Sequence, residues 1–258
     1  MTTHFFRLIG AGVASAFVLA ACGGGGGTPA ATTSASASFA LGAGYKAYIT
    51  NGSNKNFDVA VTTLTPATSS CTGTTATIIS SATTLLPPPS TFDGATNVSS
   101  STQGSTLTFP TTNCSLTSSP THGTTYYNAD ALPIALSIDN GEYYSNAGQA
   151  APTALPATVM VGNANPNVDT MIIYADNQKQ VVRGKRVMGY AIAQDTSTST
   201  AIVNISNARY DQGDNLQLTQ TSSYRMAADG TLTLLSIDVQ ASAFADPKQT
   251  RLFYTAKN

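Results

Sequence analysis

The chain has 258 residues and is close to neutral, with 12 lysines and arginines against 13 acidic residues. Charged residues make up 10% of it, compared with about 25% in a typical globular protein, so its surface must be dominated by uncharged polar side chains. This balance excludes a basic surface for nucleic acid. Glu142 is the only glutamate, and a chain rich in threonine that avoids glutamate favours strands over helices. We therefore expect a mainly β fold and no nucleic-acid partner.

The first 21 residues have the pattern of an export signal. A short head that carries Arg7 precedes an uncharged stretch from Leu8 to Ala21. As a helix, these roughly 14 residues span about 21 Å, which is short of the roughly 30 Å hydrocarbon core of a bilayer. A basic head followed by a short apolar stretch is typical of a secretory signal peptide over residues 1–21.

Leu19-Ala20-Ala21-Cys22 resembles the lipobox of bacterial lipoprotein precursors. The resemblance implies that the Cys22 sulfur receives a diacylglyceryl group, that the chain is cut before Cys22, and that the new amine is acylated, for example by palmitate. Gly23 stands where relatives retained in the inner membrane have aspartate. The resemblance thus favours the outer membrane of the bacterial envelope, facing the periplasm or the surface. The alternative is an ordinary signal peptide that ends near a cysteine.

Residues 22–40 are predicted to be a lipidated cysteine with a flexible tether. The stretch GGGGGTPAATTSASASFA holds almost nothing that could form a core. A flexible coil of about 18 such residues has a root-mean-square span of roughly 23 Å. Two or more acyl chains give stable anchoring, so the membrane is an expected partner through the N-terminal lipid.

The other two cysteines are predicted to form a disulfide. With Cys22 assigned to the lipid, Cys71 and Cys114 remain in an exported, oxidising compartment, where pairing is the simplest outcome. The closed loop of about 44 residues would stabilise the fold by about 4 kcal/mol. A metal site or redox thiol pair is the alternative, but it lacks CxxC spacing and a nearby histidine.

Residues 41–155 are predicted to be a serine- and threonine-rich β region. The stretch 56–178 contains no lysine or arginine. Asn140-Gly141, between two β-prone runs, predicts a two-residue hairpin turn in which both residues have positive φ. The predicted strands are Tyr45–Thr50, Phe57–Leu64, Thr75–Ile79, Ser105–Phe109 and Thr125–Tyr127.

Residues 156–258 are predicted to form an antiparallel β-meander. Turn clusters separate apolar-polar alternating runs, and strands joined by short turns pair antiparallel. The apolar face must be buried against the first β region, a terminal segment or a ligand, which predicts a half-barrel or a sandwich. The two regions form either two parts with an interface near residues 145–158 or a single domain over 41–258. The predicted strands are Ala157–Val161, Thr170–Tyr174, Val181–Ala193, Thr200–Ala208, Leu216–Met226, Leu232–Ala241 and Thr250–Ala256.

Catalytic residues are not evident in this sequence. His122 lies in a turn-like setting with no carboxylate within seven residues, and is expected to be an exposed loop residue. Asp139 with Glu142, and Asp211 with Asp214, are pairs that could perform acid–base chemistry, but each flanks a glycine in a predicted turn, where aspartate accepts backbone N–H groups. We expect no enzymatic activity, and a hydrolase is the least favoured alternative.

Metal and ligand sites are also weakly indicated. No metal or cofactor is expected, although alternate oxygen-bearing residues around position 165 and the acids of the 211–215 turn would suit calcium best. The basic cluster Arg183-Gly184-Lys185-Arg186 is interpreted as a solvent-exposed strand face, in which Arg186 points opposite to the other two cations. Tyrosine pairs could line a groove or serve as strand residues. The residues concerned are Asn163, Asn165, Asn167, Asp169 and Asn215 for calcium, and Tyr126, Tyr127, Tyr143 and Tyr144 for the groove.

The sequence as a whole predicts a membrane-anchored envelope lipoprotein with a non-catalytic binding or scaffolding β domain. The alternative is a carrier of apolar ligand or lipid, which requires a continuous apolar cavity of several hundred Å³. A protein, a glycan or a lipid is the expected kind of ligand or partner.

Overall fold

The computed structural model describes residues 37–64, 67–87, 92–110, 120–246 and 249–257. These contain one helix, α1 (Leu41–Asn51), and thirteen strands. In chain order the strands are β1 (Ser53–Leu64), β2 (Ala67–Ser80), β3 (Thr84–Leu85), β4 (Ser99–Thr108), β5 (Thr121–Tyr127), β6 (Pro133–Ile138), β7 (Tyr143–Ser145), β8 (Ala164–Tyr174), β9 (Val182–Gln194), β10 (Thr200–Asp211), β11 (Leu216–Ala227), β12 (Leu232–Ala241) and β13 (Arg251–Ala256).

Antiparallel pairing joins these strands into one sheet that closes on itself. The order runs from β2 through β1 to β13 and then back in sequence to β3. β2 also pairs with β4, from Thr75↔Thr108 to Ser80↔Gln103, which closes a barrel of 12 strands and leaves β3 attached to the start of β4. The prediction of a mainly β, antiparallel fold is confirmed. The closed barrel is more specific than the half-barrel or sandwich that the sequence indicates.

Apolar side chains fill the barrel interior because alternate residues of a strand point to the same face. In β9, Met188, Tyr190 and Ile192 are all buried. In β12 the buried positions switch from even to odd numbers between Leu234 and Ile237, because a β-bulge inserts one extra residue there. The interior is therefore continuous across a local shift in strand register.

Most strands after residue 156 lie where the sequence places them. β12 has the predicted bounds Leu232–Ala241, and five other predicted strands correspond to β8, β9, β10, β11 and β13. The prediction for Ala157–Val161 is wrong, since that segment contributes only an isolated bridge between Val159 and Phe39. Turn residues and alternation predict strands that pair with chain neighbours, whereas this segment pairs with the residues before α1.

The hairpin predicted at Asn140-Gly141 connects β6 and β7, but its turn differs from the prediction. The Gly141 N–H donates to the Ile138 carbonyl at 2.9 Å, and the Ile138 N–H donates to the Glu142 carbonyl at 3.0 Å. Gly141 has a φ of 91°, whereas Asn140 is not in the left-handed region. The connection is thus a three-residue loop with glycine in the left-handed position, not a two-residue turn.

The prediction of a strand at Tyr45–Thr50 is wrong, because these residues belong to α1. Leu41, Gly44 and Tyr45 are buried, and their spacing of three and four residues places them on one helical face. The β-branched residues that suggested a strand stand only in the last turn of the helix. Burial of this face stabilises a helix whose two glycines disfavour it locally.

Helix α1 lies across one end of the barrel. The Lys46 ammonium donates to the Ala129 carbonyl in the β5–β6 turn at 2.7 Å. The Thr83 N–H, which follows β2, donates to the Thr50 carbonyl at 3.0 Å. These contacts attach the helix to loops from two sides of the barrel.

The two regions that the sequence separates at residue 156 contribute strands to the same sheet, since β7 pairs with β8 and β1 pairs with β13.

The predicted signal peptide, Cys22 and most of the tether lie outside the described residues. No helix among the described residues is long and apolar enough to cross a membrane.

Candidate functional site

The barrel interior contains a cavity of about 180 Å³ between α1 and the strand walls. Tyr45, Tyr48 and Ile49 of α1 line it from one end. The Tyr48 and Tyr224 rings meet edge to face, with centroids 5.1 Å apart. This contact ties the helix to the wall because aromatic pairs favour that geometry.

Buried polar atoms without protein partners distinguish the cavity from an ordinary core. Arg186, Asn207 and Gln220 line it and are 6%, 4% and 4% exposed. Asn207 and Gln220 face each other across β10 and β11. The Arg186 Nε, the Asn207 Oδ1 and the Gln220 Oε1 have no hydrogen-bond partner among the described residues. Leaving such an atom unpaired costs about 1–3 kcal/mol, so these residues set the wall beside the cavity apart from an ordinary apolar core.

Asp169 forms an ion pair with the guanidinium of Arg186. The Arg186 Nη2 lies 3.3 Å from the Asp169 Oδ2, and the two side chains are 7% and 0% exposed. Burial raises the pKa of the Asp169 carboxyl, and the charge and hydrogen bond of Arg186 oppose that rise only in part. The Asp169 Oδ1 has no partner among the described residues.

A second ion pair lies beside the first, since Arg209 of β10 is the direct pairing partner of Arg186 in β9. Arg209 binds Glu142 through two hydrogen bonds of 2.7 and 2.9 Å and donates to the Tyr144 hydroxyl at 3.0 Å. Burial alone would raise the pKa of Glu142, but the hydrogen bonds and charge of Arg209 outweigh it and hold the pKa below its usual range. The two acids of the predicted Asp139–Glu142 pair thus have separate partners, His122 for Asp139 and Arg209 for Glu142.

His122 is a strand residue, so the expectation of a loop position is wrong. It lies in β5 with its side chain 65% exposed, and its Nδ1 lies 2.9 Å from the Asp139 Oδ2. The backbone N–H of His122 also donates to that oxygen at 3.0 Å. No serine hydroxyl contacts the ring in the described part of the chain. His122 lines the cavity described above and also, with Asp139, a more open groove of about 530 Å³ that adjoins it.

The basic cluster of residues 183–186 places its cations on two faces of the strand, as the strand pattern predicts, but Arg186 is buried. Arg183 is exposed, and Lys185 pairs with Asp214 at 2.7 Å on the outer face. Arg186 points into the barrel because it is in phase with the buried Met188. That shared phase was the available sequence signal for an interior arginine. The interpretation of the whole basic cluster as a solvent-exposed face is therefore wrong at Arg186.

The residues considered for calcium do not converge. Asp169 faces the barrel interior, while the side-chain oxygens of Asn163, Asn165 and Asn167 accept hydrogen bonds from nearby groups of their own segment. The Asp211 Oδ1 accepts the N–H groups of Gly213 and Asn215, as expected for a turn aspartate. Within the described residues no three acidic, histidine or cysteine side chains are grouped to hold a metal.

The tyrosine pairs alternate between the two faces of the sheet. Tyr127 lines the cavity and Tyr144 belongs to the interior network with Arg209. Tyr126 stacks on Phe92 at 3.8 Å, and the Tyr143 hydroxyl donates to Asp93. They do not form one groove.

The predicted Cys71–Cys114 disulfide remains a prediction. Cys71 is 4% exposed in β2, and Cys114 lies outside the described residues.

Comparison with known proteins gives one structural similarity. A DUF1329 family protein from Desulfovibrio piger has 12% sequence identity and a TM-score of 0.30, covering 85% of this chain and 92% of its own. No protein-family model and no curated protein match the chain. A similarity at this level identifies no shared site.

Proposed function

We propose that this protein is a bacterial envelope lipoprotein, anchored through Cys22, whose barrel binds a small molecule without transforming it. The observation that supports binding is the cavity between α1 and the strand walls, beside which Arg186, Asn207 and Gln220 hold buried polar atoms that have no hydrogen-bond partner among the described residues. A core selected for stability alone would place apolar groups there, because a buried polar atom without a partner is costly.

The size and polarity of the cavity favour a compact polar ligand over a lipid. At about 180 Å³ it is smaller than the roughly 300–1,000 Å³ of typical drug-sized pockets. Several serine, threonine and tyrosine side chains share its lining with the apolar ones. A carrier of long apolar chains would require a larger and more uniformly apolar interior.

Native mass spectrometry tests the binding role. Residues 22–258 with Cys22→Ser are exported behind a conventional signal peptide and purified without detergent. We expect a reproducible small-molecule adduct that is lost on denaturation. A lipid-sized adduct would instead support the apolar carrier, and a bare protein with no adduct would contradict the proposal.

A matched pair of variants assigns the adduct to the interior. Ser222 lines the cavity, while Thr221 is the next residue of β11 and points to the outer face. Ser222→Phe fills the cavity and should abolish the adduct, whereas Thr221→Phe should retain it. Equal retention by both variants would place the ligand outside the barrel.

Anchoring has a separate test. Expression of the full chain in bacteria fed labelled palmitate should label the protein and place it in the membrane fraction. Cys22→Ser should remove both the label and the membrane association. Labelling that persists in Cys22→Ser would contradict the assignment of the anchor.

A further inference from the structure

The turn that precedes β8 carries two exposed apolar side chains. Met160 and Val161 are 45% and 41% exposed. The Asn163 N–H donates to the Met160 carbonyl at 3.0 Å, and Gly162 has a φ of 91°, which is the pattern of a type II β-turn with glycine at its third position. Glycine, proline and short polar residues dominate exposed turns. The turn geometry therefore accounts for Gly162 and Asn163 but not for the methionine and the valine.

Hydrogen bonds fix this turn to the end of β9. The Gly162 N–H donates to the Ile192 carbonyl at 2.9 Å, and the Ile192 N–H donates to the Asn163 carbonyl at 2.9 Å. The Asn163 Oδ1 accepts the Met160 N–H at 2.8 Å. These bonds hold the two apolar side chains at a defined place on the surface, at the end of the barrel that α1 covers.

The chain enters the fold beside the same turn. Phe39 and Val159 exchange two backbone hydrogen bonds of 2.9 Å, so the residue before Met160 pairs with one of the first described residues. Residues 22–36, most of the predicted tether, connect this point to the lipid proposed at Cys22. A flexible coil of about 15 residues has a root-mean-square span of roughly 20 Å. The anchor therefore keeps this end of the barrel close to the membrane.

The opposite end of the barrel lies beyond that span. β9 has 13 residues, and at about 3.3 Å per residue and a tilt of about 40° it separates the two ends by about 30 Å. Val181, Val182 and Phe244 are exposed apolar residues at the far end, where β9 begins and β12 has ended. Exposure alone thus does not select the surface that faces the membrane, whereas the point at which the tether enters does.

The segment around the turn also lacks charge. Residues 143–168 contain no lysine, arginine, histidine, aspartate or glutamate. Such a surface can enter the headgroup region of a bilayer without removing a charge from water. Other turns at this end carry Asp195, which pairs with Arg225 at 2.8 Å, and the exposed Asp229. The uncharged turn is therefore the part of this end best suited to contact lipid.

We propose that the turn of residues 160–163 docks onto the lipid bilayer, with Met160 and Val161 entering the boundary between headgroups and acyl chains. This inference rests on the lipid anchor at Cys22 in the proposed function. The acyl chains supply stable attachment, and the turn determines which end of the barrel faces the membrane. The partner is the bilayer itself, because the tether brings this turn to it.

Tryptophan reporters test the orientation, because the chain contains no tryptophan. The full chain is expressed in bacteria, purified in detergent and reconstituted into phosphatidylcholine vesicles, with and without bromine on the acyl chains. Met160→Trp is the reporter at the turn, and Phe244→Trp is the matched control at the far end. The emission of Met160→Trp should shift to the blue and lose intensity to the bromine, whereas that of Phe244→Trp should be unaffected. Equal quenching of the two variants, or no quenching of Met160→Trp, would overturn the proposal.

A second set of variants separates contact by the native side chains from insertion of the reporter. Thr158→Trp places the reporter at an exposed position beside the turn and leaves Met160 and Val161 intact. Adding Met160→Ser and Val161→Ser should reduce its quenching. Adding Val181→Ser and Val182→Ser removes two exposed valines at the far end and should leave the quenching unchanged. If the first pair of substitutions has no effect, the native turn does not contact lipid and the inference is wrong.

Flotation of the same vesicles separates this inference from the proposed function. If the chain floats with the vesicles but Met160→Trp is not quenched, the anchor stands and the docking surface is overturned. If the chain does not float, the anchor is overturned and the docking surface with it. Small-molecule binding in the cavity, measured by native mass spectrometry, is independent of both results.

Discussion

Gly44 of α1 and Gly230 of the β11–β12 turn approach so closely that a Cβ atom on Gly44 would lie 1.9 Å from the Gly230 carbonyl oxygen. Gly230 has a φ of 90°, and a Cβ placed there would in turn lie 2.5 Å from the Ala40 carbonyl oxygen. Neither backbone has room for a side chain. The helix therefore reaches its position over the cavity only because both residues are glycine.

Gly44→Ala is expected to displace α1 from the end of the barrel. The clash involves backbone on both sides, so it cannot be relieved by a rotamer change, and overpacking of this kind costs about 1–3 kcal/mol or more. Urea denaturation of the purified variant measures the loss. Ala43→Ser, at the neighbouring exposed position, is the control and should change the stability by less than about 0.5 kcal/mol. Equal stability of both variants would show that this contact does not hold the helix.

The buried Arg186–Asp169 pair is expected to stabilise the fold only as a pair. Asp169→Leu leaves the arginine charge unpaired inside the barrel and should cost about 3–5 kcal/mol. The double variant Asp169→Leu, Arg186→Met removes both charges and should recover most of that loss, since apolar residues of similar volume often replace a buried pair without cost. A double-mutant cycle from denaturant unfolding provides the measurement. Additive losses would contradict a coupled pair.

Local patterns in the sequence predict the strands of the second half, because each pairs with its chain neighbour and shows alternation bounded by turn residues. Closure of the barrel depends instead on β2 and β4, where Thr75–Ser80 pairs with Gln103–Thr108. Both segments are rich in serine and threonine, so their apolar alternation is weak and nothing local specifies the partner. The position of α1 is similarly non-local, since its helical face is defined by burial against the barrel rather than by propensity.

The candidate site was only partly accessible to sequence reasoning. The inward orientation of Arg186 could be predicted from its phase with Met188, Tyr190 and Ile192. The expectation that Arg186 is exposed to solvent was wrong because it assigned one environment to the whole basic cluster of residues 183–186. The meeting of Asn207 with Gln220 follows from the β10–β11 register, which the turn between these strands sets. The contribution of Lys55 to the cavity lining required knowledge that β1 pairs with β13, at the far end of the chain.

Acid sensitivity is expected from Asp93, which fastens the segment before β4 to the outside of the barrel. Asp93 pairs with Lys179, and it accepts hydrogen bonds from Ser145 at 2.5 Å and Tyr143 at 3.2 Å. Burial acts to raise the pKa of Asp93, but the hydrogen bonds to Lys179 and Ser145 and the lysine charge lower it overall. A carboxyl whose pKa is lower in the folded than in the unfolded state stabilises the fold above its ordinary pKa, near 4, and loses that contribution as the pH falls through the lowered value.

Asp93→Asn should therefore reduce the free energy of unfolding at pH 7 by about 1–3 kcal/mol, because hydrogen bonds to a charged group are lost. As the pH falls below about 4, the difference from the parent should shrink as the parent carboxyl becomes protonated. Urea denaturation at several pH values measures both effects. Asp130→Asn, in an exposed turn, is the control and should follow the parent at every pH. A constant difference across this range would contradict a role for the Asp93 charge.

The cysteine pairing predicted for Cys71 and Cys114 is expected to lock β2 to the segment that follows β4. Cys71 is buried at a position opposite Val61 of β1, where a bulky alkylating reagent could reach it only after unfolding. In a Cys22→Ser background, the denatured but unreduced chain should take up no iodoacetamide because both sulfurs are in the disulfide, and the reduced chain should take up two equivalents. Reduction should lower the free energy of unfolding by up to about 4 kcal/mol, because the open chain regains the entropy of a loop of about 44 residues. Alkylation of both cysteines without reductant would contradict the pairing, whereas an unchanged stability after reduction would show that the β2–β4 pairing closes the barrel without a covalent link.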